Sequence, residues 1–260
     1  MPADLTPWQL ILIGAFALLG STVGAVTGFG FAAILLPVLA MCIGEQAAVP
    51  VLTVAQIVGN GSRAWFNRTE IRWSAVRWYT IGGVPAAFLG ALLFATMTPS
   101  VIAIVMGASL LVALAWRRWG AGRTARGADA AGVRIREPQL VPVGVVTGAL
   151  SALVGGAGPI AGPFFLAVGL VKGAYIGSEA VAALGVHLAK VAAYSGTGTL
   201  TGSGIVLGLS VSPLVIAGSW IGKRIVNRLS QSRFIVLVEC ALAIAALLML
   251  WRGWAAASGS

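Results

Sequence analysis

The chain has 260 residues, of which 58% are hydrophobic and only 9% charged, with a net charge of +10. A mean hydropathy of +0.96 excludes an ordinary soluble domain and describes a polytopic membrane protein. The 35 glycines suit close helix packing and broken helices in lipid.

The first apolar run covers 8–28. It is preceded by Asp4 and by no Lys or Arg. It therefore lacks the basic flank of a signal peptide and is expected to begin outside. A stretch from 8 to 44 follows, interrupted at "TGFGF" (27–31). Apolar segments at 47–66, 73–95 and 99–119 come next. The stretch 117–138 then carries six Arg with Asp129 and Glu137 and is rich in Gly and Ala, as expected of a flexible cytoplasmic linker. Beyond it lie 139–153, 159–171, 178–196, 204–227 and 232–252. The two pieces 139–153 and 159–171 flank "GGAGP" (155–159), and each is short of the ~20 residues that cross a bilayer. They predict a helical hairpin whose tip is the glycine run. The stretch 8–44 predicts a matching hairpin.

The two halves of the chain correspond. Gly90 aligns with Gly222, Thr98 with Ser230, Trp119 with Trp251, and Pro37 with Pro163. Their charged loops are reversed. The stretch 63–77 holds Arg63, Arg68, Arg72 and Arg77, and its counterpart near 195–204 is uncharged. The turn 95–100 is uncharged, and its counterpart 223–233 holds Lys223, Arg224, Arg228 and Arg233. Positive charge marks the cytoplasmic side, so related halves of opposite polarity predict an inverted-topology repeat. The expected fold is an all-α polytopic membrane protein of 8–10 membrane segments. Each repeat is a broken hairpin plus about three transmembrane helices. The first repeat spans 1–119, the basic linker 120–138 and the second repeat 139–260. Of the 17 Lys and Arg, all but Lys190 and Arg252 fall in or beside cytoplasmic segments, so the basic balance reads as topology and not as nucleic-acid binding.

Non-helical backbone at membrane depth must be shielded or line a wet cavity. New helices begin after each break, near Phe31 and Pro159, and helix N-termini favour anions. Thr27, Gly28 and Gly30 with Gly155, Gly156 and Gly158 are therefore candidate substrate-binding residues; the alternative is that these glycines only permit tight packing. In "ALGVHLAKVAAY" (183–194), His187, Lys190 and Tyr194 share one helical face. In "VAQIVGNGSRAWF" (54–66), Gln56 and Asn60 lie one turn apart, with Asn60 answering His187 and Arg63 answering Lys190. Intramembrane polar groups default to functional hypotheses, which adds Gln56, Asn60, His187, Lys190 and Tyr194 to the site. Lys190 and Arg63 also have interfacial readings, by snorkelling. His187 and Glu239 are candidate proton carriers; His187 is alternatively a hydrogen-bonded core residue, and Glu239 an ion-pair partner or a snorkelling group. Glu45 and Glu179 read as helix-start residues, favourably placed at a dipole end. Cys42 and Cys240 are solitary and suggest neither a metal nor a disulfide. No cofactor, metal or catalytic arrangement is expected.

The segments "GAVTGFGFAAILLPVL" (24–39) and "GALSALVGGAGPIAGPFFL" (148–166) resemble the TauE/SafE family of membrane permeases, also called the sulfite exporter or sulfonate permease family. So do "GGVPAAFLGALL" and "AGSWIGKRIVNRLSQSRFIVLVECALAIAALLMLWR". The resemblance covers about 10–252, and it departs where "TGFGFA" has fewer glycines than "GGAGP". It implies secondary transport of small sulfur-containing anions or organic acids such as sulfite, sulfonates and sulfoacetate. The resulting expectation is an alternating-access anion transporter, with or without proton coupling, integral to a bacterial inner membrane with both termini outside. An anion channel or carboxylate transporter on the same scaffold is the alternative, and a membrane enzyme finds little support. The expected partners are a small anion and the lipid bilayer, with no nucleic acid; a homodimer stays open.

Overall fold

The computed structural model describes residues 5–27, 30–98, 100–102, 104–105, 108, 135–170 and 172–225. The expected helix 232–252, most of 99–119 and most of the linker, together with Gly28, Glu239 and Cys240, lie outside the described residues. Every described element is helical. The order is α1 (Pro7–Thr27), α2 (Gly30–Ile43), α3 (Glu45–Phe66), α4 (Trp73–Ala95), a 3-10 turn (Glu137–Gln139), α5 (Leu140–Val154), α6 (Gly158–Ala167), α7 (Lys172–Gly196), α8 (Gly202–Ser210) and α9 (Ser212–Ile225).

Among the described residues five helical stretches are long and apolar enough to cross a membrane: Pro7–Ala25, Trp73–Ala95, Glu137–Val154, Gly173–Gly196 and Gly202–Gly222. The surface is apolar outward, with Leu89, Leu93, Val146 and Val206 exposed on the helices. Trp8, Trp65 and Trp73 are exposed at helix ends, and the Arg68 guanidinium lies over the Trp65 ring at 4.6 Å, the arrangement of an interfacial aromatic belt.

Three boundaries differ from expectation. The 3-10 turn extends the first arm of the second hairpin to Glu137–Val154, 18 residues. At 1.5 Å per residue that is roughly 27 Å, close to a bilayer core, so this arm is long enough to cross. The second arm, α6, has 10 residues and is not. The segment 204–227 is two helices, because Pro213 lacks an N–H and its ring restricts the residue before it; Val211 closes α8 and accepts the first bond of α9 from the Val215 amide at 3.0 Å. Finally, α7 starts at Lys172 and not near 178. A helix ending at Ala167 is stopped by Gly169 with φ 87°. The Leu170 amide reaches back to the Phe165 carbonyl at 3.3 Å, a C-terminal closure that left-handed glycine permits, and α7 can begin at once.

The second hairpin breaks at Gly155, whose φ of 81° lies in the left-handed region, where glycine carries no Cβ penalty. Helix packing follows small residues. Among the described elements the contact of α4 with α5 is the most extensive, and that of α1 with α9 is next. At the first, a Cβ on Gly144 would strike the Tyr79 carbonyl and one on Gly148 the Gly83 backbone; at the second, a Cβ on Gly222 would lie 2.9 Å from that of Ala25. Both are Gly-x-x-x-Gly faces, Gly144 with Gly148 and Gly218 with Gly222, which bring helix backbones together where apolar burial gives no drive. Gly148→Val should therefore part α4 from α5. The expected outcome is loss of the monodisperse detergent-extracted peak in size-exclusion chromatography, while Val146→Leu on the exposed face of α5 leaves it intact.

Candidate functional site: a polar cavity between the hairpins

Helices α3 and α7 pack against each other, and α1, α2, α4, α5, α6 and α9 close around the polar face they share. They line a partly open cavity of about 70 Å³, room for a handful of waters at roughly 10–15 Å³ each. Its wall is built from both hairpin breaks. Gly24, Ala25 and Phe31 come from the first, and Gly156, Ala157 and Gly158 from the second. The breaks touch: a Cβ on Gly156 would lie 3.0 Å from that of Ala32 and 3.3 Å from Nε2 of Gln56. The Ala157 carbonyl accepts the amides of Ile160 and Ala161, each at 3.0 Å. Ala157 is thus the residue that opens α6, and the positive end of that helix faces the cavity.

The polar wall comes from α3 and α7. Gln56, Asn60 and Arg63 share one face of α3, and Glu179 and His187 one face of α7. Ser21, Tyr79, Thr147, Ser151 and Ser219 complete it; the Tyr79 and Thr147 hydroxyls are hydrogen-bonded at 2.7 Å. Arg63 donates to the Asn60 side-chain oxygen and lies 3.5 Å from a Glu179 carboxylate oxygen, with the two side chains 13% and 8% exposed. The side-chain oxygen of Gln56 and Nδ1 of His187 are buried with no hydrogen-bond partner among the described residues. Buried polar atoms are ordinarily satisfied, so two such atoms in one cavity point to something that binds there.

Of the residues anticipated from sequence, Gln56, Asn60, Gly156, Gly158 and His187 line this cavity. Gly30 and Gly155 stand just behind it, Gly30 against Val23 and Gly155 against Leu52 and Leu36. The Thr27 side chain lies outside the description, as do Gly28 and Glu239. Lys190 and Tyr194 are fully buried but turned away from the cavity, toward the end of α5. The Lys190 ammonium donates to the carbonyls of Ser151 at 2.9 Å and Gly155 at 3.4 Å and to the Ser151 hydroxyl at 3.3 Å. The Tyr194 hydroxyl donates to the Ala152 carbonyl at 2.5 Å. A helix ending inside a protein leaves carbonyls without partners. Here two side chains of α7 supply the donors, and the ammonium also suits the negative helix end.

Glu179, read from sequence as a helix-start residue, and Arg63, for which an interfacial reading also stood open, are both part of the wall. Glu179 is not a helix-start residue: α7 begins at Lys172, about two turns earlier, and places the carboxylate within the bundle. Arg63 is not a membrane-surface anchor, because Glu179 and Asn60 hold it inward. The signal for Glu179 was present in the spacing. It precedes His187 by eight residues (187 − 179 = 8), a little over two turns, and so shares its face. Serines 21, 151 and 219 carried no such signal, since isolated hydroxyls in apolar helices commonly bond their own backbone.

Broken apolar hairpins meeting at a polar cavity in an all-helical bundle define a membrane transport protein of the kind whose site sits between interrupted helices. A family model described as "Sulfite exporter TauE/SafE" matches residues 12–249. The chain belongs to this family of membrane anion transporters. No curated protein and no solved structure matches it.

Proposed function

We propose that this protein is a secondary transporter of one small sulfur-containing anion, with sulfite or a short sulfonate such as sulfoacetate the best-fitting classes, and that it works by alternating access between two inverted repeats in the inner membrane of a bacterium, both termini facing outside. The observation that carries the reading is the convergence on one cavity of the α6 N-terminus, the Arg63 guanidinium and two unpartnered polar atoms, on Gln56 and His187. A cation, a positive helix end and hydrogen-bonding groups at close range are the chemistry that replaces the hydration shell of an oxyanion. The volume supports a compact anion over a long organic acid. Lys190 contributes by holding the glycine tip that presents the α6 amides, in place of touching the anion.

The repeat assignment is supported by the packing. Exchanging α1 with α5, and α4 with α8 and α9, maps the α4–α5 contact onto the contact between α9 and α1. The reversed charge polarity of the loops supports the inversion.

The test is binding of sulfite, sulfate, thiosulfate, sulfoacetate, taurine, acetate and chloride to purified protein by calorimetry, followed by flux of the best binder into proteoliposomes. Saturable binding and saturable flux of one sulfur anion are expected. Acetate bound in preference to every sulfur anion would replace the substrate class, and conductive flux that never saturates would replace the mechanism with that of a channel.

A further inference from the structure

Arg63 and Glu179 sit on the central helices of the two halves, α3 and α7, and their charges meet across the wall of the cavity. At 3.5 Å the pair is loose, and that same oxygen of Glu179 makes no hydrogen bond among the described residues. An anion bound in this cavity needs the guanidinium that Glu179 holds when the cavity is empty. We infer that the two compete: the entering anion takes Arg63 from Glu179, the freed carboxylate accepts one proton from the solution to which the cavity is then open, and anion and proton cross together. This rests on the anion-transport reading above and adds the identity of the coupling group.

The balance is simple. One carboxylate becomes one carboxylic acid, the proton comes from water on the open side, and no other bond forms or breaks. The driving physics is that of two like charges at one cation. With the anion in place, an ionised Glu179 would face a second negative charge in a site of low polarity, and two anions sharing one buried site are not both kept ionised. The release side runs in reverse: as the proton leaves, the carboxylate reclaims Arg63 and expels the anion.

The surroundings favour Glu179 over His187 as the carrier. Around Glu179 the charged and titratable groups are Arg63 from α3, Tyr79 from α4 and Tyr175 and His187 from its own helix, while α6 presents none among the described residues. It therefore faces one cation and no second carboxylate. His187 makes no ion pair among the described residues, whereas Glu179 is the group that holds the guanidinium an entering anion must take.

The experiment uses methanesulfonate, which does not itself titrate near neutral pH, added to purified full-length protein in weakly buffered detergent solution with a pH indicator. Wild type is expected to take up close to one proton per anion bound. Glu179→Gln, which keeps Arg63 but cannot hold it by charge, is expected to bind several-fold more tightly with no proton uptake. Wild type binding without proton uptake overturns the inference and leaves the transport reading standing, as does proton uptake that persists in Glu179→Gln. Wild type that binds no member of the anion panel, methanesulfonate included, overturns both. Where Glu179→Gln does not fold, His187→Gln decides: proton uptake per bound anion that persists supports Glu179, and uptake that vanishes assigns the proton to the histidine.

Discussion

Arg63→Met is expected to abolish saturable anion binding, with affinity reduced at least a hundredfold, and to lower the melting temperature as well. The first effect follows from removing the one guanidinium on the cavity wall among the described residues. The second follows from what is left behind. Glu179 is nearly enclosed, and breaking a buried ion pair by deleting one member costs about 3–5 kcal/mol because the other charge is stranded. The two effects separate in the double variant Arg63→Met/Glu179→Gln, which removes both charges. Its thermal stability should recover most of the loss while anion binding stays absent. Calorimetry and scanning fluorimetry on the three proteins check this. A single variant that binds anion as wild type does, or a double variant that regains binding, would show that the guanidinium serves only the fold.

Lys190→Met should act in the opposite order, on structure first and on transport through it. The ammonium is the donor for two carbonyls at the end of α5, and each buried carbonyl left without a donor costs about 1–3 kcal/mol. Methionine fills the stem but donates nothing. The glycine tip is then expected to loosen, the melting temperature to fall by several degrees, and anion flux to drop at least tenfold because the α6 amides are no longer held toward the cavity. If the side chain instead touched the anion directly, Met would leave the melting temperature unchanged and remove only binding. Measuring stability beside flux on the same preparation distinguishes the two.

How much of this was legible in the chain depends on what kind of signal each feature leaves. Trp73–Ala95 was bounded to the residue because apolar length between a basic loop and a Thr-Met-Thr-Pro turn is a strong local pattern. The break at Gly155 was legible because a glycine pair followed by Gly-Pro stops one helix and starts another. The start of α7 was not, because Lys172 and Gly173 look like a loop and the local sequence says nothing of how tightly Gly169 closes the preceding helix; the spacing that sets Glu179 on the face of His187 counts only once that start is known. The direction of Lys190 was not legible either. Helical spacing places Lys190 and Tyr194 on the face of His187, but which groups on that face meet the cavity and which meet the end of α5 is settled by where α5 stops against α7, a contact between segments some 40 residues apart (190 − 151 = 39). Periodicity finds a face and cannot say what stands opposite it.

The glycine-faced pairings also set an order in time. The α4 helix meets α5 across the linker, but the partner of α1 is α9, and the Ser21 hydroxyl reaches the Leu214 carbonyl across 193 positions of chain. At a synthesis rate of roughly 5–20 residues per second, about 10–40 s separate the emergence of these two helices from the ribosome. Throughout that interval the small-residue face of α1 stands in the bilayer without the backbone it is shaped to receive, open to any other helix with a groove of its own. A nascent chain arrested before Ser212 is thus expected to crosslink from Ser21 to insertion machinery or to neighbouring membrane proteins, and to lose those partners once Gly218 and Gly222 arrive.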